Sequence, residues 1–150
     1  MIIVWSPFAE LSAAELCRIL RLRQEVFVVE QRCAYLDADG YDEASLHAMG
    51  RDQDGQVTAV ARLLPPGCKF DLPSIGRIAV AQNARRFGHG RTILADAIAE
   101  AGRRYPDSSI RIEAQAYLER FYGTFGFIRT GQPFDEDGIP HLAMIRRTDR

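Results

Sequence analysis

Apolar residues recur along this chain with two different periods, and the order in which these periods alternate limits the folds open to it. In Ile110–Gln115 every second residue is apolar, which is the pattern of a half-buried strand. An apolar stripe at helical spacing precedes that strand, formed by Ile93, Leu94, Ala97, Ile98 and Ala101. Segments of both kinds follow one another in the order β-α-β-β-β-α-β-α-β-β, which predicts a mixed α/β fold.

Caps and breakers set the ends of these segments. Ser12 and Glu15 have the spacing of a capping box, which predicts a helix that begins there and fades near Glu30. Tyr105-Pro106 ends the second helix, because a residue before proline disfavours the helical conformation. Further strands are predicted at residues 2–5, 46–51, 56–64 and 74–81, a short third helix at 117–125, and a closing pair of strands from residue 126 onward.

Length, charge and cysteine usage exclude several classes of protein. A chain of 150 residues can bury a core without disulfides or metal, and one domain over residues 1–150 is expected. The net charge of -1 lacks the basic field that attracts nucleic acid or membrane surfaces, so neither is an expected partner. Cys17, Cys33 and Cys68 match no C-x-x-C spacing, which predicts reduced thiols and no metal site. No export signal or membrane-spanning run is found, and a cytoplasmic location is expected.

The loop ARRFGHGR, residues 84–91, joins a predicted strand to a predicted amphipathic helix. The first turn of a helix has backbone N–H groups without intrahelical partners, so an anion is stabilised there. Gly88 and Gly90 have no Cβ to keep a phosphate away from these amides, and the arginines of the loop could add charge-assisted hydrogen bonds. Solvated arginines beside turn-forming glycines are the alternative interpretation.

Spacing excludes the two best-known phosphate loops. A P-loop needs four residues between its glycines, and a dinucleotide fingerprint needs a small residue where Ile93 stands. The pattern R-x-x-G-x-G, from Arg85 to Gly90, instead resembles the acetyl-CoA pyrophosphate loop of the GNAT acetyltransferase superfamily.

Other segments strengthen this resemblance. QAYLERFYGTFGF is similar to the second GNAT signature, in which Tyr122 lies four residues before Gly126-Phe127. The segments LRQEVFVVEQRCAYLDADGYD, ARLLPPG, SIGRIAV and PFDEDGIPH resemble the ElaA-like branch of that superfamily, in the same order along the chain. The resemblance implies a single-domain GNAT fold, with a central, mostly antiparallel sheet that splays beside residues 77–80 to admit the coenzyme.

The resemblance also implies which residues hold acetyl-CoA. It assigns the pantetheine arm to the amides of Ile78 and Val80, and the oxyanion donor to a backbone N–H near Ala79 or Val80. Gln115 stands where many GNAT proteins have an asparagine that contacts this arm. The remaining residues expected to bind the coenzyme are Arg85, Arg86, Phe87, Gly88, His89, Gly90, Arg91, Thr92 and Phe121.

Acetyl transfer to an amine needs an acid for the departing thiolate and an acceptor for the amine proton. The resemblance gives the acid as Tyr122, although an aromatic residue at helical spacing also fits a core position. Glu30 and His47 are the first hypotheses for the base, followed by His141 and Glu113. None of these four is fixed by spacing alone.

The acidic stretch DADGYDE, residues 37–43, lacks the spacing of an EF-hand and is predicted to be a solvated turn. Asp37, Asp39 and Asp42 could attract a cationic acceptor. The predicted function is acetyl-CoA-dependent N-acetylation of a primary amine on a small molecule or peptide, with no metal. A non-catalytic acyl-CoA sensor or interaction module is the alternative, because no base is certain.

Overall fold

Seven strands form one mixed sheet in the computed structural model, which describes residues 1–148. The sheet order is β1-β2-β3-β4-β5-β7-β6, and all neighbouring strands are antiparallel except β4 and β5. The predicted bounds of β2 and β5 are confirmed, while β1 extends two residues further than predicted, to Pro7. The strands are β1 (Ile2–Pro7), β2 (Leu46–Arg51), β3 (Val57–Leu64), β4 (Ser74–Val80), β5 (Ile110–Gln115), β6 (Phe127–Glu136) and β7 (Ile139–Arg146).

The helices begin and end at the residues that cap them. Helix α1 (Ala13–Gln24) opens with the predicted capping box, since the Glu15 N–H donates to Ser12 Oγ at 3.2 Å and the Ser12 N–H donates to Glu15 Oε2 at 3.0 Å. It continues as a π-helical stretch, Glu25–Glu30. Helix α2 (His89–Arg104) stops before Tyr105-Pro106 as predicted, with Tyr105 as its C-cap. The predicted third helix is a 3-10 turn, Ala116–Leu118, followed by the short helix α3 (Glu119–Gly123).

Helices α1 and α2 cover opposite faces of the sheet. Ala61 and Leu63 of β3 belong to the same buried cluster as Leu94 of α2. Val60, which points to the other face of β3, packs with Ile19 of α1. Strand β3 is therefore buried on both faces, which explains why seven of its eight residues are buried.

Strands β4 and β5 separate almost as soon as they meet. Within the described chain their ladder has one paired position, Ser74↔Arg111, supported by the bond from the Arg111 N–H to the Pro73 carbonyl at 3.0 Å. Beyond it the register of β4 on β3 shifts, and Arg77 adopts the left-handed region with φ of +51°. The predicted splay beside residues 77–80 is confirmed, and it opens a cleft between the two halves of the sheet.

The prediction that residues 37–43 form a solvated turn is wrong. Asp37 and Asp42 are buried and pair with Arg23 of α1, whose Nε lies 2.7 Å from Asp37 Oδ2 and whose Nη1 lies 2.8 Å from Asp42 Oδ1. Asp39 pairs with Arg62 at 2.7 Å and with Arg77 at 3.1 Å. Three aspartates and three arginines thus neutralise one another, which makes their burial possible. We call these six residues the arginine–aspartate network: Arg23, Asp37, Asp39, Asp42, Arg62 and Arg77.

The network shifts the titration of its carboxylates. Burial alone would raise the pKa of Asp39, but hydrogen bonds and charge from Arg62 and Arg77 hold the pKa well below its usual range. Asp42 follows the same pattern, because Arg23 and Arg62 outweigh the effect of burial on the pKa. These aspartates are charged at neutral pH and already paired, so they are poorly placed to attract a cationic acceptor.

Candidate active site

The cleft between β4 and β5 leads into a cavity of about 410 Å³. Residues of β4 and the end of the π-helical stretch line one side, and residues of β5, α3 and β7 line the other. Eleven of the residues considered for the site lie on its wall: Glu30, Ile78, Ala79, Val80, Arg85, Gly90, Glu113, Gln115, Phe121, Tyr122 and His141.

The predicted phosphate loop stands at one end of this cavity. A 3-10 turn, Gln82–Phe87, leads to Gly88, whose φ of +73° favours glycine, and α2 begins at the next residue. Thr92 N–H makes the first bond of the helix, to the Gly88 carbonyl at 3.1 Å, so the amides of residues 89–91 have no intrahelical acceptor. No side chain within residues 1–148 caps this helix end. The arrangement suits an anion.

Arg85 joins the loop to the end of the π-helical stretch. Its Nη1 and Nη2 donate to the two carboxylate oxygens of Glu30 at 2.5 and 2.6 Å, and its Nε donates to the Val80 carbonyl at 3.2 Å. The hydrogen bonds from Arg85 lower the pKa of the Glu30 carboxyl. A carboxylate held by both oxygens in this way is a weak proton acceptor.

The other loop residues lie at the rim or turn away from it. Arg86 and Phe87 are exposed. His89 Nδ1 lies 3.1 Å from Thr58 Oγ1. The Arg91 guanidinium lies 4.8 Å from the centre of the Phe125 ring, while Thr92 Oγ1 donates to the Gly88 carbonyl at 3.2 Å.

The open edge of β4 offers unpaired donors to the cleft. Ala81 N–H donates to the Thr58 carbonyl of β3 at 2.8 Å. Because successive N–H groups of a strand point in opposite directions, the Val80 N–H points away from β3 and toward the splay. The same alternation turns the Ala79 N–H toward β3, so the geometry favours Val80 over Ala79 as an oxyanion donor.

Tyr122 is packed by its ring and reaches the cavity. The ring lies edge-on to Phe121 and Phe127, with centroid distances of 5.3 and 6.1 Å. Burial raises the pKa of its phenol to about 12, with a smaller contribution from Tyr117. The hydroxyl is therefore protonated at neutral pH and available as a donor.

The two histidines considered as bases lie in different surroundings. His47 is 1% exposed and is not among the residues that line the cavity. Its Nε2 contacts the Asp42 carbonyl at 2.8 Å, and burial lowers its pKa. His141 lines the cavity, with Nδ1 2.7 Å from the Ile139 carbonyl and Nε2 3.5 Å from Glu136 Oε2. The structure thus brings His141 to the site and leaves His47 outside it.

Two further contacts connect residues 31 and 33 to β5 and to the turn before β7. Gln115 Nε2 donates to Gln31 Oε1 at 3.0 Å, and the Cys33 thiol donates to the Asp137 carbonyl at 3.4 Å. With the pairing of Glu30 to Arg85, these contacts make residues 30–33 a bridging segment that touches both halves of the splayed sheet. The predictions did not identify this segment, since its partners lie far away in the sequence.

Lys69 and Glu136 also line the cavity without having been predicted. Glu136 lies in the segment PFDEDGIPH and was available from the resemblance, but Lys69 had no motif to mark it. No helix in the described part of the chain is long and apolar enough to cross a bilayer. Among residues 1–148 there is also no cluster of histidine, cysteine and acidic side chains that could hold a metal ion.

Comparison with known proteins gives concordant similarities. A family model described as an acetyltransferase (GNAT) domain matches residues 26–148. Protein ElaA of Escherichia coli is 37% identical over 140 residues, which cover 92% of this chain and 91% of ElaA. A UPF0039 protein of Synechocystis sp. is 46% identical over 143 residues, which cover 95% of this chain and 93% of that protein.

Solved structures show the same similarity in three dimensions. The crystal structure of an acyl-CoA N-acyltransferase from Pseudomonas aeruginosa has a TM-score of 0.91 and 37% identity, covering 97% of this chain and 99% of that chain. The crystal structure of Escherichia coli ElaA has a TM-score of 0.88 and 35% identity, covering 97% of this chain and 100% of that chain.

Proposed function

This chain belongs to the GNAT acetyltransferase family, in its ElaA-like branch, and from this we propose that it is an acetyl-CoA-dependent N-acetyltransferase. The acceptor that we propose is a primary amine of a small molecule or a peptide. One observation carries the proposal: in the described part of the chain β4 and β5 part beyond one paired position, and the opening leads from a helix N-terminus without a side-chain cap to Tyr122. An acyl carrier with an anionic end and a thioester end suits such a cleft.

The phosphate end of acetyl-CoA is proposed to bind at the start of α2. The amides of His89, Gly90 and Arg91 supply unpaired donors, and the positive end of the helix dipole favours the anion. Arg85 and Arg86 add positive charge nearby. Phe87, Thr92 and Phe121 stay proposed contacts of the coenzyme, and Gln115 a proposed contact of the pantetheine arm.

The base is proposed to be His141. A carbonyl oxygen only accepts hydrogen bonds, so the Nδ1 beside the Ile139 carbonyl carries the proton and the neutral ring keeps its lone pair on Nε2. When Nε2 takes the proton of the amine, the imidazolium faces Glu136 at 3.5 Å. Glu30 is a second candidate because it lines the cavity, and His47 a third that would need a water path.

The proposed transfer then has a donor for each developing charge. The amine nitrogen attacks the thioester carbonyl, the Val80 N–H donates to the oxyanion, and the Tyr122 hydroxyl donates to the departing thiolate. A phenol with a pKa of about 12 holds its proton more tightly than a free thiol near 8.5. Burial in the cavity also destabilises the CoA thiolate, so it raises the pKa of the thiol as well as that of the Tyr122 phenol.

Calorimetry with coenzyme fragments tests the binding half of the proposal. CoA is expected to bind far more tightly than dephosphorylated pantetheine. Gly88→Asp is expected to weaken the binding of CoA and to leave the binding of dephosphorylated pantetheine unchanged. The reason is that a carboxylate is placed where the phosphates approach, at a φ of +73° that only glycine adopts without strain. Equal affinities for the two ligands contradict the proposed phosphate site.

Release of free CoA in the presence of a panel of primary amines tests the catalytic half. Turnover with at least one amine is expected, and it should require both acetyl-CoA and an unblocked amine. Tight CoA binding with no turnover on any amine would instead identify a coenzyme-binding module.

A further inference from the structure

Lys69 is the single lysine of this chain, and it lies in the cavity of the proposed enzyme. It belongs to the segment between β3 and β4, next to the point where the sheet begins to splay. Its side chain is 26% exposed and lines the same cavity as Val80 and Tyr122. The other cationic side chains of the sequence are arginines, which have no primary amine.

The surroundings of Lys69 are those that a primary alkylammonium group prefers. Its Nζ lies 3.7 Å from Glu113 Oε2, and 5.2 and 5.9 Å from the ring centres of Phe70 and Tyr41. Arg111 Nη2 also donates to Glu113, at 3.2 Å, which fixes the carboxylate. Oε2 of Glu113, the oxygen to which Arg111 does not donate, therefore already stands beside a primary amine inside the cavity.

We propose that Lys69 is a modification site of this protein, and that the enzyme transfers an acetyl group from acetyl-CoA to the Nζ of its own Lys69. The inference rests on the proposed function. The Lys69 ammonium loses one proton to Glu113, and the Nζ lone pair then forms a C–N bond with the thioester carbonyl carbon. The C–S bond breaks, CoA leaves as the thiolate, and Tyr122 donates a proton to that sulfur. The nitrogen releases its second proton to solvent as the intermediate collapses, and solvent returns a proton to Tyr122 after it has protonated the sulfur. The products are an N-acetyl-lysine and CoA.

The modification changes the charge of the cavity. The acetylated side chain is neutral, so it no longer neutralises Glu113 and no longer makes cation–π contacts with Phe70 and Tyr41. Glu113 keeps Arg111 as a partner and becomes more available to a cationic acceptor. Self-acetylation would thereby make the acceptor side of the cavity less positive and more favourable to a cationic amine.

Mass spectrometry tests this directly because the chain has so few primary amines. The purified protein is incubated with isotopically labelled acetyl-CoA, and peptide mapping then separates Lys69 from the α-amino group of Met1. A labelled acetyl group is expected on the peptide that contains Lys69, at a rate independent of protein concentration. Lys69→Arg keeps the positive charge and is expected to lose this label completely. A second observation would support the proposal equally. Protein analysed as purified, without added acetyl-CoA, would contain acetyl-lysine at position 69, and Tyr122→Phe protein would not.

Chemical acetylation is the competing explanation, and matched samples exclude it. Gly88→Asp protein and urea-unfolded wild type both retain Lys69, and both are expected to acquire the label much more slowly. Equal labelling rates in all three samples overturn the proposal. An unmodified Lys69 in protein that acetylates free amines overturns it while leaving the proposed function intact. Failure to bind CoA at all overturns both.

Discussion

At the scale of single residues, Tyr122 has two roles that periodicity cannot separate. Its ring packs edge-on against Phe121 and Phe127, as a core residue would, yet it also lines the cavity. The GNAT signature, with Tyr122 four residues before Gly126, indicated the second role where the apolar stripe indicated only the first. A motif that reports chemistry can thus identify a residue that packing patterns assign to the core.

Tyr122→Phe tests the proposed acid. The change keeps the ring and removes the hydroxyl, so turnover at saturating acetyl-CoA should fall by about 10²-fold while the thermal midpoint stays close to that of the wild type. Tyr105→Phe is the matched control, because Tyr105 packs against the same core but does not line the cavity. Wild-type turnover in folded Tyr122→Phe protein would exclude Tyr122 as the acid.

His141→Gln and His47→Gln together test the proposed base. His141→Gln is expected to lower turnover and to leave the affinity for CoA unchanged. In the wild type, activity should rise with pH as the base loses its proton, and this rise should be absent from the pH–rate profile of His141→Gln. His47→Gln is expected to lower the thermal midpoint and leave the shape of the profile intact, because His47 is buried away from the cavity. An unaltered pH–rate profile in His141→Gln would exclude His141 as the base. Glu30→Gln would then be the variant expected to lose the rise of activity with pH.

The aspartates of residues 37–43 show what single-residue reasoning misses. An acidic cluster considered alone is most stable in water, so a solvated turn was the natural prediction. The arginines that reverse this preference lie in α1, β3 and β4. Arg23 is 14 residues from Asp37 in the sequence, and Arg77 is 38 residues from Asp39. Local sequence contains no signal for pairing over such separations.

At the scale of elements, β4 is the strand whose irregularity creates the site. Arg77 adopts a φ of +51° in the middle of this strand, a conformation that costs a non-glycine residue free energy. Its guanidinium is held by Asp37 Oδ1 at 2.8 Å and by Asp39 Oδ2 at 3.1 Å. The arginine–aspartate network therefore stabilises the bend that turns β4 away from β5.

Asp39→Asn tests this role through its dependence on pH. The pKa of Asp39 in the folded protein lies below its ordinary value of 3.8, so below about pH 4 the unfolded chain binds more protons than the folded one. The contribution of Asp39 to the free energy of unfolding is complete above that pH and is lost as the pH falls through the folded-state pKa. Asp39→Asn should lower the thermal midpoint at neutral pH and make its decline in acid shallower.

The control for this variant is Asp107→Asn, which removes an exposed carboxylate. It should leave the melting profile close to that of the wild type at every pH. Asp39→Asn should also weaken CoA binding, because the β4 bend is less well held. Identical acid profiles for wild type and Asp39→Asn would exclude the proposed contribution of the network.

The elements differ in how well sequence predicts them. Strand β2 has the predicted bounds because it ends at the turn signal DQDG, and β5 because its alternation of apolar and polar residues runs from Ile110 to Gln115. The π-helical stretch Glu25–Glu30 and the 3-10 turn Ala116–Leu118 were not distinguished from ordinary helix, because their apolar spacing differs too little from the helical period. Both irregular stretches adjoin the cavity, where the chain has to change direction.

At the scale of the whole molecule, the protein consists of two half-sheets joined at one end. Among residues 1–148, strands β1–β4 and β5–β7 share one paired position, Ser74↔Arg111, and the bridging segment, residues 30–33, reaches across the opening. Periodicity predicted the strands but contains no information about the distance between them. The expectation of a splay came from the family resemblance, and its physical cause, the bent β4, is visible only in the structure.

Hydrogen exchange can follow this architecture when the proposed coenzyme binds. The Val80 N–H faces the cleft and residues 89–91 have no intrahelical acceptors, so these amides should exchange rapidly in the free protein and slowly with CoA. The β5–β7 ladder, paired from Ile110↔Arg146 to Gln115↔His141, should be protected in both states. Dephosphorylated pantetheine should protect β4 while leaving residues 89–91 exposed to exchange, because it lacks the phosphates. Protection by CoA that spares both β4 and the start of α2 would mean that the coenzyme does not occupy the cleft, and the proposed site would have to be abandoned.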